Sequence, residues 1–333
     1  MKILIVKLSS LGDVVHAMPA VQDIRRALPD AQVDWVVEQP FAPLVQRCEG
    51  VQEVIGCELR QWRKSPLGSH TRSAWRSFSD ELRSRAYDAV IDLQGLTKSA
   101  LVARAARMAA NGKRYALANQ TEGSSYEAPT RWVADVAIPI APRVHAVSRS
   151  RELCARALGY VAPGELRFGL TAARADAAAG RAPEAPCVAL VHGTSREDKC
   201  WPEPHWEELG RRLIAAGFSI GLPHGGAAEL ERAQRIAQAL GASARVWPRL
   251  QLGQLVDRLA ECAGVIGVDS GLSHIAVALD LAHVQIYNFD TAWRTGPLPL
   301  DTESPQRQLA VYAQPTPSID DVWEAWRQVQ PTP

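Results

Sequence analysis

The start of the chain combines a short apolar segment, a polar turn and a longer apolar repeat. Residues 3–6 are continuously apolar and rich in β-branched side chains, which is typical of a strand buried on both faces of a parallel sheet. Residues 9–13 form the polar turn, and apolar residues then recur at helical spacing over residues 14–28. Pro19 lies inside this repeat and predicts either a kink or the first helical turn.

Short apolar segments recur through the first half of the chain. Residues 33–37, the pair Val54 and Ile55, and residues 89–92 each predict a further strand. Strands that alternate with loops and helical repeats are typical of a doubly wound α/β domain. We therefore expect the first half to fold around a parallel sheet.

The same order of elements begins again near Cys187. Apolar segments predict strands at residues 187–191, 218–222, 244–246, 265–268 and 283–287, and helical spacing predicts helices at residues 205–216, 227–240 and 252–260. An alanine-rich segment, residues 171–186, separates the two halves, so we expect the domain boundary in this segment or just before it. A last helix is predicted at residues 319–329, where Trp323 and Trp326 need a surface to pack on.

Composition agrees with two soluble domains. The chain has 333 residues, of which 47% are hydrophobic, and a net charge of +1, so no overall field draws it to nucleic acid or membrane. None of its six cysteines forms a C-x-x-C pair, which excludes the usual zinc and thioredoxin motifs and favours a reducing compartment. Lys7 interrupts the first apolar segment, and no window approaches the roughly 18 apolar residues of a membrane span. We expect a soluble protein, or one that at most lies on a membrane surface.

The turn after the first strand lacks the glycine pattern of a dinucleotide site. No G-x-G-x-x-G follows that strand and no Walker P-loop occurs, which weakens NAD-dependent oxidoreductase and ATPase hypotheses. Asp13 stands in this turn instead, where open α/β sheets bind their ligands. Its alternative role is to cap the following helix.

Two further turns have the residues of a phosphate site. Residues 192–202 follow a strand and contain Gly193, two hydroxyl residues and Lys199, although an ordinary loop with a solvated lysine fits as well. Residues 267–274 join a strand to a helix, whose N-terminus suits a diphosphate. Capping roles for Asp269 and Ser270 and a structural role for His274 remain open.

A basic and aromatic segment interrupts the balanced charge of the first half. It contains Arg60, Trp62, Arg63, Lys64, His70, Arg72, Trp75 and Arg76. We expect a long polar segment between regular elements, and such segments often carry function. It suits an anionic partner, and a solvated basic face is the alternative.

Three motifs together resemble those of glycosyltransferase family 9. They are KLSSLGDVVH at residues 7–16 with Pro19 and Ala20, residues 192–206 with Lys199, and DSGLSH at residues 269–274. The resemblance implies an α/β GT-B fold, in which two Rossmann-like domains face each other across a cleft. It implies an N-terminal acceptor-binding domain at residues 1–170, a donor-binding domain at 171–316 and a helix at 317–333 that returns to the first domain.

The resemblance also implies an activity, the inverting transfer of L-glycero-D-manno-heptose from ADP-heptose to the inner Kdo of Kdo2-lipid A. Ser9 and Ser10, His16 and the segment DLQGL at residues 92–96, with Lys98 and Ser99, favour this acceptor over an already heptosylated core. The expected location is cytoplasmic and peripheral, on the inner leaflet of the inner membrane. Nucleic acid is not an expected partner.

Site residues follow from the same resemblance. Asp13 is the expected general base. The donor residues are Thr194, Ser195, Lys199, Glu229, Leu250, Asp269, Ser270, Gly271 and His274, and the acceptor residues are Arg60, Arg63, Lys64 and Lys98. No metal or other cofactor is expected, because no D-x-D motif accompanies the phosphate turns, while Lys199 and the helix N-terminus at Gly271 can balance the charge of the leaving diphosphate.

Other functions remain possible on this sequence. They are transfer to a heptosylated acceptor, a sugar-nucleotide epimerase of the same fold, and a catalytically silent nucleotide-binding module. Asp13 and the basic segment argue against the silent module, which needs neither.

One residue and one segment depart from the family pattern. Gly193 stands where alanine is frequent, with no expected consequence, and residues 287–293 are less typical of the loop after that strand.

Overall fold

The computed structural model describes residues 1–65, 68–173, 185–300 and 306–330. The chain divides into two compact units, Met1–Leu170 and Thr171–Pro333. Each unit is built on a six-stranded sheet whose strand pairs all run parallel. This is the doubly wound α/β architecture that the apolar pattern predicts.

The first sheet has its earliest strand in the middle. Its strands are β1 (Lys2–Val6), β2 (Gln32–Glu38), β3 (Val51–Cys57), β4 (Ala86–Asp92), β5 (Arg107–Leu117) and β6 (Val136–Ile138), in the order β3-β2-β1-β4-β5-β6. The helices are α1 (Leu11–Ala27), α2 (Ala42–Val45), α3 (Leu59–Trp62), α4 (Ser69–Arg83), α5 (Thr97–Ala105), α6 (Pro129–Val133) and α7 (Ala146–Leu158). The order reverses between β1 and β4, where such sheets form their ligand sites.

Burial explains the centre of this unit. The side chains of Ile3 to Val6 are fully buried, as a strand covered on both faces requires. Helix α1 packs on α7, and a buried ion pair joins them, in which Arg151 Nε lies 2.7 Å from Asp23 Oδ2. Pro19 lies in the interior of α1, which begins at Leu11, so it does not mark the first turn.

The basic segment of the first half is helical rather than a long polar loop. Helices α3 and α4 contain most of its residues, while residues 66–67 lie outside the described parts. Trp75, Phe78 and Leu82 recur at helical spacing, and Phe78 and Leu82 are buried. The Trp62, Trp75 and Phe78 rings pack at centroid distances of 5.5 to 5.7 Å. The prediction of a loop is wrong because the dense charge obscured this apolar stripe.

The second sheet repeats the plan of the first. Its strands are β7 (Cys187–Val191), β8 (Ser219–Leu222), β9 (Ala244–Val246), β10 (Gly264–Val268), β11 (His283–Tyr287) and β12 (Gln308–Tyr312), in the order β12-β11-β10-β7-β8-β9. The helices are α8 (Glu203–Ala215), α9 (Ala227–Leu240), α10 (Leu252–Ala260), α11 (Gly271–Ala278), α12 (Ala292–Thr295) and α13 (Ile319–Val329). Its order reverses between β7 and β10.

The last helix packs on its own unit. Val322, Trp326 and Val329 of α13 are buried in one core with Val284 and Ile286 of β11. The apolar face of α13 is covered by the second sheet and by α8, and the expected return of residues 317–333 to the first domain stays a prediction. None of the helices in the described parts of the chain has the length and apolar character that crossing a bilayer requires.

We expect Trp326→Ala to lower the stability of the second unit by about 3–5 kcal/mol, because it removes a fully buried ring from this core. Denaturant unfolding followed by circular dichroism measures the change. Trp132→Ala is the matched control, because 72% of that side chain is exposed, and it should change stability by less than about 0.5 kcal/mol. Equal effects of the two substitutions would contradict this account of the core.

Candidate active site

Asp13 lies in the first turn of α1, directly beyond the carboxyl end of β1. Its Oδ2 accepts hydrogen bonds from the backbone N–H of Ser10 at 3.0 Å and from the Ser10 hydroxyl at 2.8 Å. The carboxylate thus helps to cap the helix, which is the structural role that the sequence leaves open. Because 38% of its side chain is still exposed, it also remains accessible to a substrate.

A buried lysine lies beside this carboxylate. The Lys7 side chain is 2% exposed, and its Nζ donates to the carbonyl of Leu93 at 3.0 Å and lies 3.9 Å from Asp13 Oδ1. Burial alone would raise the pKa of Asp13, but the Lys7 ammonium and the hydrogen bonds from Ser10 outweigh it, so the pKa lies below the ordinary value. Asp13 is therefore a carboxylate at neutral pH.

The turn after β4 supports the turn after β1. Gln94 Oε1 accepts from the backbone N–H groups of Leu8 and Ser9, both at 3.1 Å, and Lys98 Nζ donates to the Ser9 hydroxyl at 3.4 Å. Gly95 has a φ of +76°, a left-handed conformation that favours glycine. The two loops at the switch point are thereby fixed to each other.

Asp92 anchors the second of these loops from within. It is 2% exposed, its Oδ1 accepts from the N–H groups of Gln94 at 2.9 Å and Gly95 at 3.2 Å, and its Oδ2 lies 2.9 Å from the Ser99 hydroxyl. Burial raises the pKa of Asp92 to about 6, although these hydrogen bonds oppose the shift.

The sequence motifs do not mark Lys7 as a site residue. A lysine that interrupts an otherwise apolar, buried strand is the signal that could have identified it.

Two of the predicted acceptor residues, Arg60 and Lys98, lie near Glu38 at the carboxyl end of β2. The backbone N–H of Arg60 donates to Glu38 Oε1 at 3.3 Å, at the end of β2. Burial raises the pKa of Glu38, and the Arg60 and Lys98 cations oppose this shift, so both lie near its carboxylate. Arg63 and Lys64 follow α3 and are exposed. None of the described contacts joins these last two cations to the turn that holds Asp13.

In the second unit, Asp269 is the centre of a charged cluster beyond the carboxyl end of β10. Its Oδ2 pairs with Lys199 Nζ, its Oδ1 lies 3.4 Å from His274 Nε2, and its carbonyl accepts from the Thr194 hydroxyl at 3.1 Å. Burial alone would raise its pKa, but His274 and Lys199 together lower the pKa of Asp269 well below its ordinary range. This cluster joins the loop after β7 to the loop after β10.

Helix α11 begins at this cluster. Gly271 is its first residue and Ser270 its N-cap, so the free N–H groups of the first turn face the same region. The Ser270 hydroxyl is buried, and among the described residues it has no hydrogen-bond partner. A helix N-terminus beside a lysine is a suitable site for a diphosphate.

Glu229 approaches the loop after β7 from α9. Its Oε2 accepts from the backbone N–H of Gly225 at 2.6 Å. A Cβ atom at Gly193 would lie 2.5 Å from Glu229 Oε1, so an alanine there would displace the carboxylate. The Glu229 carboxylate, the end of a flexible side chain, thus occupies the space beside Gly193 that a Cβ atom would take.

Two predicted donor residues are placed less tightly. Ser195 is exposed in the loop after β7, and Leu250 is half-buried after β9. No described contact joins either residue to Asp269. Arg232, which the motifs do not mark, donates to the carbonyl of His192 at 3.3 Å and so supports the same loop. In the described parts of the chain, His, Cys, Asp and Glu side chains form no group of three or more arranged to hold a metal ion.

Comparisons with known proteins identify relatives of this chain. The model of glycosyltransferase family 9 (heptosyltransferase) matches residues 75–322. The chain is 39% identical to lipopolysaccharide heptosyltransferase 1 of Pseudomonas aeruginosa over 288 residues, which cover 86% of this chain and 78% of that protein. It is 28% identical to lipopolysaccharide heptosyltransferase 2 of Escherichia coli over 314 residues, which cover 90% and 86% of the two chains.

A solved structure is similar over nearly the whole length. The heptosyltransferase WaaC of E. coli with ADP matches with a TM-score of 0.84 and 32% identity, covering 98% of each chain. The same protein with ADP-2-deoxy-2-fluoro heptose matches with a TM-score of 0.78 and 33% identity, at the same coverage. At this coverage the likeness extends through both units.

We expect Asp92→Asn to keep the hydrogen bonds of its turn while removing the ionisable carboxyl group. Because the pKa of Asp92 is about 6 in the folded protein and ~3.9 in an unfolded chain, the folded wild type binds more protons between these pH values. The stability of the wild type relative to the variant should fall by about 2–3 kcal/mol as the pH rises from about 4 to about 6, and then level off. Urea unfolding at several pH values measures the difference, and a difference independent of pH would contradict the raised pKa.

Proposed function

The chain belongs to glycosyltransferase family 9, and we propose that it transfers L-glycero-D-manno-heptose from ADP-heptose to the inner Kdo of Kdo2-lipid A, inverting the anomeric carbon. The product belongs to the inner core of lipopolysaccharide. The observation that carries this proposal is the accessible carboxylate of Asp13, held ionised by Lys7 at the switch point of the first sheet. The relatives named heptosyltransferase 1 and the solved enzyme with an ADP-heptose analogue support the acceptor and the donor.

Asp13 acts as the general base in this proposal. Inversion in one displacement requires a group that takes the proton of the acceptor hydroxyl as the hydroxyl attacks the anomeric carbon. A carboxylate with a lowered pKa is a weak base, but it is ionised throughout the physiological range and also stabilises positive charge at the oxocarbenium-like centre. Its hydrogen bonds with Ser10 fix its direction, which limits the cost of orienting it.

The second unit binds the donor in this proposal. Lys199, the hydroxyls of Thr194 and Ser195, and the first turn of α11 from Gly271 bind the diphosphate and stabilise the charge that develops as ADP leaves. Asp269 orients Lys199 and His274, and Ser270 contributes its buried hydroxyl. Glu229 accepts hydrogen bonds from the ribose, and Leu250 contacts the base.

The first unit, residues 1–170, binds the acceptor in this proposal, and residues 171–316 form the donor-binding domain. Kdo2-lipid A carries carboxylates and phosphates, which suit the cations of Arg60, Arg63, Lys64 and Lys98. Because this acceptor is a membrane lipid, we propose that the protein works in the cytoplasm, at the surface of the inner leaflet. No metal ion takes part, because Lys199 and the N-terminus of α11 supply the positive charge that the diphosphate needs.

An assay with defined substrates tests the proposal. The purified protein should transfer heptose from ADP-heptose to Kdo2-lipid A at an undiminished rate in the presence of EDTA, with the product measured by mass spectrometry. Transfer to a heptosylated core and not to Kdo2-lipid A would assign the other acceptor. ADP binding without transfer to either acceptor would make the chain a silent nucleotide-binding protein, and loss of activity in EDTA would contradict metal-free transfer.

We expect Asp13→Asn to slow transfer by roughly 10²- to 10⁴-fold while ADP binding stays unchanged, because the amide retains the shape of the side chain but cannot accept the proton. Single-turnover kinetics and calorimetry with ADP measure the two effects. Asp30→Asn is the matched control, since Asp30 is exposed at the end of α1, and should leave both unchanged. A wild-type rate in Asp13→Asn would remove Asp13 from the mechanism.

A further inference from the structure

The loop that carries Lys199 is supported by the segment 287–293, which the sequence marks as less typical of the family. Asn288 is the first residue of this segment after the end of β11. The Asn288 Nδ2 group donates to the carbonyl of Asp198 at 3.1 Å and to the carbonyl of Cys200 at 3.0 Å. The two carbonyls belong to the residues on either side of Lys199, so a single amide group holds the backbone at the base of the lysine.

The orientation of this amide is itself determined by a neighbour. The Thr316 hydroxyl donates to Asn288 Oδ1 at 2.7 Å, so the amide oxygen faces a donor while both N–H groups face acceptors. The indole N–H of Trp201 donates to the carbonyl of Pro317 at 2.9 Å. The chain at residues 316–317 thus supports the lysine loop at a second point.

A weaker contact extends this support towards the start of the loop. The Arg196 guanidinium lies over the Phe289 ring, at 5.8 Å from its centroid, and also pairs with Asp198. Cation–π contacts of exposed side chains are weak. Asn288 therefore provides the main restraint, because it bonds directly to the backbone beside the lysine.

We propose that Asn288 is a positioning residue of the donor site, which acts through Lys199 to set the affinity for the diphosphate of ADP. This inference rests on the role proposed above for Lys199. A lysine has many side-chain rotamers, so a fixed backbone is needed to keep its ammonium beside Asp269 and the first turn of α11. Asn288 touches neither the lysine side chain nor that cluster directly among the described contacts, which distinguishes positioning from binding.

A double-mutant cycle with calorimetry of ADP binding tests the inference. Asn288→Leu keeps the size of the side chain without adding charge, and it should weaken ADP binding about tenfold because both loop carbonyls lose their donor. Lys199→Ala should weaken binding at least as much. In the Lys199→Ala background, Asn288→Leu should have almost no further effect, because the group that Asn288 positions is already absent.

Kinetics and a milder variant complete the test. Asn288→Leu should raise the KM for ADP-heptose and leave the KM for the acceptor unchanged. Thr316→Val, which removes only the hydroxyl that orients the amide, should weaken ADP binding about threefold and serves if Asn288→Leu does not fold. Asn111→Leu, at an exposed position of β5, is the matched control and should leave ADP binding unchanged.

The outcomes separate this inference from the proposed function. Wild-type ADP affinity in Asn288→Leu or, if that variant does not fold, in Thr316→Val would overturn the positioning role while leaving Lys199 as a ligand. Additive losses in the double variant would show that Asn288 does not act through Lys199 and would also overturn it. Unchanged affinity in Lys199→Ala would instead contradict the diphosphate role of Lys199, and with it this inference.

Discussion

A parallel sheet whose strand order reverses leaves a gap between two neighbouring loops, and each unit of this chain places its charged groups at such a gap. In the first unit the loops follow β1 and β4, and in the second they follow β7 and β10. Side-chain contacts join the two loops at each gap. Gln94 provides this contact in the first unit and Asp269 in the second. The candidate chemistry depends on these joined loops.

Different surroundings shift the pKa values of two carboxyl groups near one buried lysine in opposite directions. Lys7 lies beside Asp13 and also acts on Asp92, yet the pKa of Asp13 is lowered while that of Asp92 is raised to about 6. Asp13 stays partly exposed and close to the ammonium, whereas Asp92 is fully buried, so the cost of burying its charge dominates. Environments that move the pKa values of two carboxyl groups apart are typical of sites in which each group has its own role.

Two contacts from other elements maintain the loop after β7. Gly193 leaves the space that the Glu229 carboxylate occupies, and Asn288 binds the backbone on both sides of Lys199. Both contacts involve residues of the loop after β7. The shape of that loop is therefore maintained by contacts from α9 and from the end of β11, which are distant in sequence. Local motifs cannot reveal such support, because it arises only when the sheet has brought these elements together.

The α/β class, the division into two halves and the turns after β1, β7 and β10 could be predicted from the sequence alone, because buried strands and helix starts have local patterns. Strands β5 and β12 escaped prediction: β5 mixes polar and apolar residues without a clear period, and β12 is a short segment of five residues. The folded chain was needed to show that α13 packs on its own unit, that the basic segment is helical and that Lys7, Gln94 and Asn288 support the candidate site. These features depend on which surface an apolar helix face packs against and on hydrogen bonds between residues far apart in the chain. Neither can be predicted from a short segment of sequence.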